Sequence, residues 1–130
     1  MSAESSTGDK PTTTDAMLLL TILNGPAGER ASAGAEALWT FPDPPSWEQL
    51  VAVHPVGSSG YLDIMGVLTV AERIGTFVKN GVLHTGLALD LVAISMVWQR
   101  CARLVADMRI QRSNERLFEN FEWLATQGKR

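Results

Sequence analysis

The chain is predicted to adopt an all-α fold of four to five helices, on three observations. Apolar residues recur at helical spacing, as in Ile64, Val67, Ala71, Ile74 and Val78, which form one stripe. No segment sustains the strict alternation of a half-buried strand. Helix-start and helix-stop signals fall where the periodicity breaks. The expected centre is an antiparallel helical hairpin, with the C-terminal helix packed on it.

Residues 1–13, rich in Ser and Thr and without an apolar face, are expected to form a disordered tail ahead of a single helical domain at 14–130. Thr14 is placed to cap a first helix, with Asp15 in its first turn, where the helix dipole favours a negative charge. Met17, Leu18, Leu19, Leu20, Ile22 and Leu23 supply its apolar residues until Asn24-Gly25-Pro26 interrupts it. ERASAGAEALW then resumes a helical composition. Pro42, Pro44 and Pro45 mark a loop, and Ser46-Trp47-Glu48-Gln49 has the form of a capping box that opens a short helix to about Val53. After a second loop to Gly60, a long helix should run from about Tyr61 to Lys79 and close at Asn80-Gly81, residues that tolerate the left-handed conformation. The next should run unbroken from Thr85 to Arg112. Its seam is Leu87, Leu91, Ile94, Trp98, Cys101, Val105 and Met108, a heptad-like spacing. Ser113-Asn114 is expected to start the last helix, with Leu117, Phe118, Phe121, Leu124 and Ala125 on its apolar face.

For 130 residues one domain is the natural count. Hydrophobic residues make up 45% and charged residues 19%, a globular balance, and the net charge of −3 argues against a nucleic-acid partner. Cys101 is the single cysteine, so no intramolecular disulfide forms. The N-terminus lacks the pattern of a secretory signal, and no apolar run approaches the length of a membrane span. A cytoplasmic protein with no membrane association is the expectation.

The helix–turn–helix around Asn80-Gly81 offers His84-Thr85-Gly86-Leu87-Ala88-Leu89-Asp90 at the start of its second helix. A DNA-reading helix needs basic or amide side chains there, so the segment is read as a hairpin. His54 and His84 stand in no metal-ligand spacing, and no cofactor is expected. Gly57-Ser58-Ser59-Gly60 is too short to cradle a pyrophosphate. Ser95 is mid-helix, and Cys101 on the seam behaves as a small hydrophobe, so neither is expected to be a nucleophile.

The informative charges are Glu72, Arg73 and Asp90. Glu72 lies roughly 120° from the centre of the Ile64–Val78 stripe and is expected to pair with Arg100 or Arg103. Asp90 is similarly expected to pair with Arg73. Arg109, Arg112 and Arg116 form one ridge and Glu115, Glu119 and Glu122 another, suited to pairing across the Ser113-Asn114 junction or between chains. Leu89, Val92 and Met96 add apolar surface outside the seam, and a helix apolar nearly all round must be covered. The expected function is a helical interaction or regulatory module that self-associates through these three residues and has no catalytic role. The alternative is a small enzyme or ligand-binding bundle with a polar pocket at Glu72, Asp90 and Arg100.

Glu72 and Ile74, the turn Lys79 to Leu83, Trp98, Arg109 or Arg112, and the closing Phe121 to Leu124 carry a resemblance. Over residues 61–125 the chain resembles an uncharacterised family of small bacterial helical proteins, a domain of unknown function. The resemblance implies an all-helical fold and supplies no activity. His84 stands where the family pattern has an acidic helix cap, a departure that leaves the role of that position open.

Overall fold

A computed structural model describes residues 10–128. Among them are seven helices and no strand: α1 (Thr13–Asn24), α2 (Pro26–Trp39), α3 (Trp47–Val53), α4 (Ser59–Lys79), α5 (Thr85–Leu91), α6 (Ile94–Gln111) and α7 (Glu119–Gln127). The expected disorder of the N-terminal tail falls, for residues 1–9, outside the described residues. Residues 12 and 13 already belong to the fold.

Local chemistry explains most of the helix starts. Thr12, rather than Thr14, caps α1: its hydroxyl accepts from the Asp15 amide while the Asp15 carboxylate accepts from the Thr12 amide, a reciprocal capping box. Gly25 is extended and Pro26 occupies the first position of α2, where its missing N–H costs nothing. Ser46 and Gln49 form the capping box read from the sequence. Ser58 caps α4, whose first residue, Ser59, lies two residues before the expected start. Gly81, at φ 75°, ends α4 in a Schellman arrangement, with Val82 N–H donating to the Phe77 carbonyl at 2.9 Å. Ser113 closes α6 in the same way at φ 49°, and Asn114 N–H reaches the Arg109 carbonyl at 3.0 Å.

The centre of the molecule is α4, not a hairpin. The whole predicted stripe from Ile64 to Val78 is buried, and so are Leu68, Val70 and the glycines Gly66 and Gly75 on its flanks. Its main neighbours are α2 and α7, and its contact with α5 and α6 is slight. Glycine decides this choice. Gly34 of α2 lies against the Asp63 carbonyl of α4, and Gly75 of α4 lies against the Asn120 carbonyl of α7, each so closely that a Cβ would collide with backbone. Small side chains at the crossing let two helix backbones approach, which widens the apolar area each buries.

The long helix expected from Thr85 to Arg112 is broken at Val92-Ala93. Val92 is extended, and Ala93 at φ −77°, ψ 64° forms an inverse γ-turn closed by Ile94 N–H to the Val92 carbonyl at 2.8 Å. The two pieces serve different partners. α5 rests on α1 and α4, and α6 packs on α7, α3 and α2. The seam therefore holds only from Ile94 onward: Ile94, Cys101, Val105 and Met108 are buried, Leu87 and Trp98 are half-buried, and Leu91 is 53% exposed. The last helix begins at Glu119 instead of Ser113-Asn114. Phe118, in the left-handed region at φ 59°, turns the chain into it.

Candidate functional site

The break between α5 and α6 leaves several apolar side chains at the surface. Leu89 and Val92 are half-buried there, and Leu91 and Met96 are 53% and 58% exposed. Leu89, Val92 and Met96, the three residues expected to mediate association, line one depression of about 250 Å³ with Asp90 on its wall. Ser95 lies in the same wall, but its hydroxyl donates to the Ala125 carbonyl at 2.9 Å and so ties α6 to α7.

His84 holds this region from its other end. Its Nδ1 accepts from the Leu87 amide at 3.0 Å, capping α5. Accepting at Nδ1 requires that the nitrogen carry no proton. The His84 amide donates to Oδ1 of Asp15 at 3.0 Å. Asp15 is 1% exposed. Its burial raises the carboxyl pKa, but hydrogen bonds from the Thr12 amide and hydroxyl and from the His84 amide outweigh that and leave it lowered. His84, whose role the sequence left open, thus caps its helix through an imidazole nitrogen.

The charges expected to converge do not. Glu72 meets no arginine of α6. Its Oε1 accepts from the amides of Asn120 and Phe121 at 3.0 and 2.9 Å, and its Oε2 accepts from the Asn120 side chain at 2.9 Å. These are the second and third residues of α7, and Phe118, at the cap position, has no side chain able to bond them. Glu72 is therefore a remote N-cap. Arg100 donates to the Phe41 carbonyl at 2.8 Å and lies over Trp39, with 5.4 Å to the ring centroid. Arg103 is exposed. Among the described residues no ion pair joins Glu72 to Arg100 or Arg103, or Arg73 to Asp90. The polar pocket of the alternative reading is not assembled: Glu72 and Asp90 line different depressions, and Arg100 is committed to the loop after α2.

The two ridges do meet within the chain. Arg109 Nη2 lies 2.9 Å from Glu122 Oε1, a contact of charges without hydrogen-bond alignment, while its Nε donates to the Leu117 carbonyl at 2.8 Å. Arg116 and Glu119 pair at 2.7 Å on the surface. Cys101 is fully buried, and burial pushes its thiol up to about 12, so it stays protonated and unreactive at neutral pH. Among the described residues no group of three or more His, Cys, Asp or Glu is arranged to hold a metal ion.

Two anchoring residues escaped the sequence reading. Asn120 has no motif to announce it. Asp107 accepts from the amide of Trp47, sixty positions away, at 2.9 Å and so holds the start of α3. Its only sequence signal was a carboxylate between seam positions.

Residues 29–127 match the family described as a domain of unknown function, DUF4760. No curated protein and no solved structure matches the chain. The family match spans most of the chain, from α2 to the end of α7, and the protein belongs to this family.

Proposed function

We propose that this member of the DUF4760 family is a helical protein-interaction module that self-associates through the α5–α6 joint. One observation carries the reading: Leu89, Val92 and Met96 gather around a single depression, beside the exposed Leu91. Exposed apolar side chains gathered at one place gain by being covered, at about 25 cal/mol for each Å² removed from water. A second copy related by a two-fold axis is the simplest cover, because one surface then serves both partners. Asp90 sits at the edge, where a charge keeps its water. The same reading has the protein act in the cytoplasm. No helix among the described residues is long and apolar enough to cross a membrane.

Light scattering at micromolar concentration tests it. The expected result is a dimer for the wild type and a monomer for Met96→Glu and Val92→Glu. Met96 is more than half exposed, so its substitution leaves the fold intact. A wild type that stays monomeric across the accessible range overturns the proposal. A dimer that survives both changes moves the interface elsewhere.

A further inference from the structure

Where α1 meets α5, His84 makes a bond that its own protonation forbids. Nδ1 accepts from the Leu87 amide at 3.0 Å, so the neutral ring carries its proton on Nε2. A second proton has only Nδ1 to enter, and the Leu87 N–H already points at that atom. The cap and the imidazolium therefore exclude one another. Among the described residues no other side chain accepts from an amide in the first turn of α5. The ring lies across that turn in room left by Gly86, where a Cβ would come to 2.9 Å from Cε1 of His84. Little else holds α5. It has seven residues, of which Ala88 alone is buried, and helices under about twelve residues are marginal without outside support.

The charges that face the ring are few. α1 contributes Asp15, its one charged residue, whose Oδ2 accepts from the Thr12 amide and hydroxyl and whose Oδ1 accepts from the His84 amide. A carboxylate oxygen has two lone pairs, so Oδ1 can accept once more. Burial raises the Asp15 carboxyl, but hydrogen bonds from Thr12 and His84 bring it below its ordinary value. It is therefore charged throughout the range in which imidazoles titrate, about pH 6.5. Lys10, ahead of α1, is exposed. The charged side chains of α4 are engaged elsewhere: Asp63 pairs with Arg30, Glu72 bonds α7, Arg73 lines the depression beside Phe118, and Lys79 lies 6.0 Å from the Trp123 ring centroid. Asp90, at the far end of α5, is exposed on the wall of the recess.

We propose that His84 is a proton-operated latch on α5: as pH falls through the imidazole range, Nδ1 takes up a proton, gives up the Leu87 amide and turns its new N–H to Asp15, which releases the first turn of α5. The capped state is present while His84 is neutral and is lost on the acid side. α5 carries Leu89 and Leu91 to the joint, so its release also disperses the apolar surface there. That last step rests on the association reading above; the release itself does not.

NMR of the full chain from about pH 8 to about pH 5.5 tests the latch. Ring nitrogen shifts should show His84 protonated at Nε2 alone at the upper end and at both nitrogens at the lower. Over the same step the exchange protection of the Leu87 amide should fall at least about tenfold, while amides in the middle of α4 and α6 keep theirs. His84→Asn supplies a capping oxygen that does not titrate, and should keep Leu87 protection constant. Should that variant not fold, the wild-type titration decides alone. A ring that stays neutral to the lower end, a neutral ring with its proton on Nδ1, or Leu87 protection that does not follow the ring would each overturn the proposal. So would a loss that survives in His84→Asn, which would assign it to His54 or a carboxylate, or an equal loss across α4 and α6. Light scattering separates the latch from the association reading. A dimer at the upper pH that becomes a monomer at the lower, and stays a dimer at both in His84→Asn, is expected. A dimer that persists with Leu87 unprotected would overturn the coupling. A wild type monomeric throughout would end the association reading, and the Leu87 result would still judge the latch.

Discussion

Three carboxylates organise this bundle by holding backbone amides at the starts of distant helices. Asp15 holds His84 ahead of α5, Glu72 holds Asn120 and Phe121 in α7, and Asp107 holds Trp47 in α3. The first-turn N–H groups of a helix have no partner within it, and the dipole there favours a negative charge, so each carboxylate joins two elements and satisfies an orphan donor at once. Glu72 makes the most bonds of the three to its distant helix, two from backbone amides and one from the Asn120 side chain. Glu72→Gln keeps the shape and removes the charge, and should lower unfolding stability by about 1–3 kcal/mol, read from the urea midpoint. A double-mutant cycle with Asn120→Ala should couple by more than about 0.5 kcal/mol, and a cycle with Arg103→Ala should not. Asp15 makes a pH prediction. Its folded pKa lies below its unfolded value, so the stability it contributes is present above the unfolded pKa and is lost as pH falls through the folded one. Asp15→Asn should flatten the acid limb of the stability–pH curve in that window, and an unchanged limb would mean that Asp15 titrates alike in both states.

At the scale of elements, backbone proximity matters as much as side-chain fit. The α2–α4 and α4–α7 crossings each depend on one glycine, Gly34 and Gly75, whose absent Cβ leaves room for the carbonyl of the facing helix. Gly34→Ala and Gly75→Ala ought to raise local helix propensity and still destabilise the protein, by about 1–3 kcal/mol, because the methyl meets backbone that cannot move aside. Thermal midpoints would decide; a rise in either would show that the crossing can slide. The α5–α6 joint obeys a related logic. Heptad spacing favours one continuous helix, but α5 is tied to α1 through His84 and Asp15, and α6 is tied to α7 through Ser95 and Ala125. The chain meets both demands by bending at Val92-Ala93, and the bend exposes Leu91 and Met96.

Across the whole molecule the core is continuous from Leu19 of α1 to Ala125 of α7. The family match begins within α2, so α1 lies ahead of it, yet α1 contributes Leu19 and Ile22 to the core and Asp15 to α5. Phe121 closes the other end. It is fully buried, and Trp98 meets it edge-on with ring centroids 5.0 Å apart. Phe121→Ala should cost about 3–5 kcal/mol, a large share of a small domain's stability. Trp98→Ala should cost less, since the indole is only half-buried. Equal costs in chemical denaturation would show that Trp98 is as enclosed as Phe121.

What the sequence by itself determined is the set of helices whose ends are chemically marked. Ser46 with Gln49, Asn24-Gly25-Pro26 and Asn80-Gly81 act within a few residues, so their effect does not depend on the rest of the chain. The α4 stripe was legible for a related reason: a regular apolar face must be buried, whatever buries it. Leu89, Val92 and Met96 were legible as surplus apolar residues, but their gathering around one depression depends on a bend that no Gly or Pro announces. The roles of Glu72, Asn120 and Asp107 were also decided only by the tertiary structure. A carboxylate can satisfy an arginine or a helix terminus equally well in principle, and the choice follows from which backbone comes within 3 Å, at separations of 48 to 60 residues. The packing partners of α4 were settled in the same way. Periodicity reports how much of a helix must be covered, but the closeness permitted at Gly34 and Gly75 chose α2 and α7 as the cover.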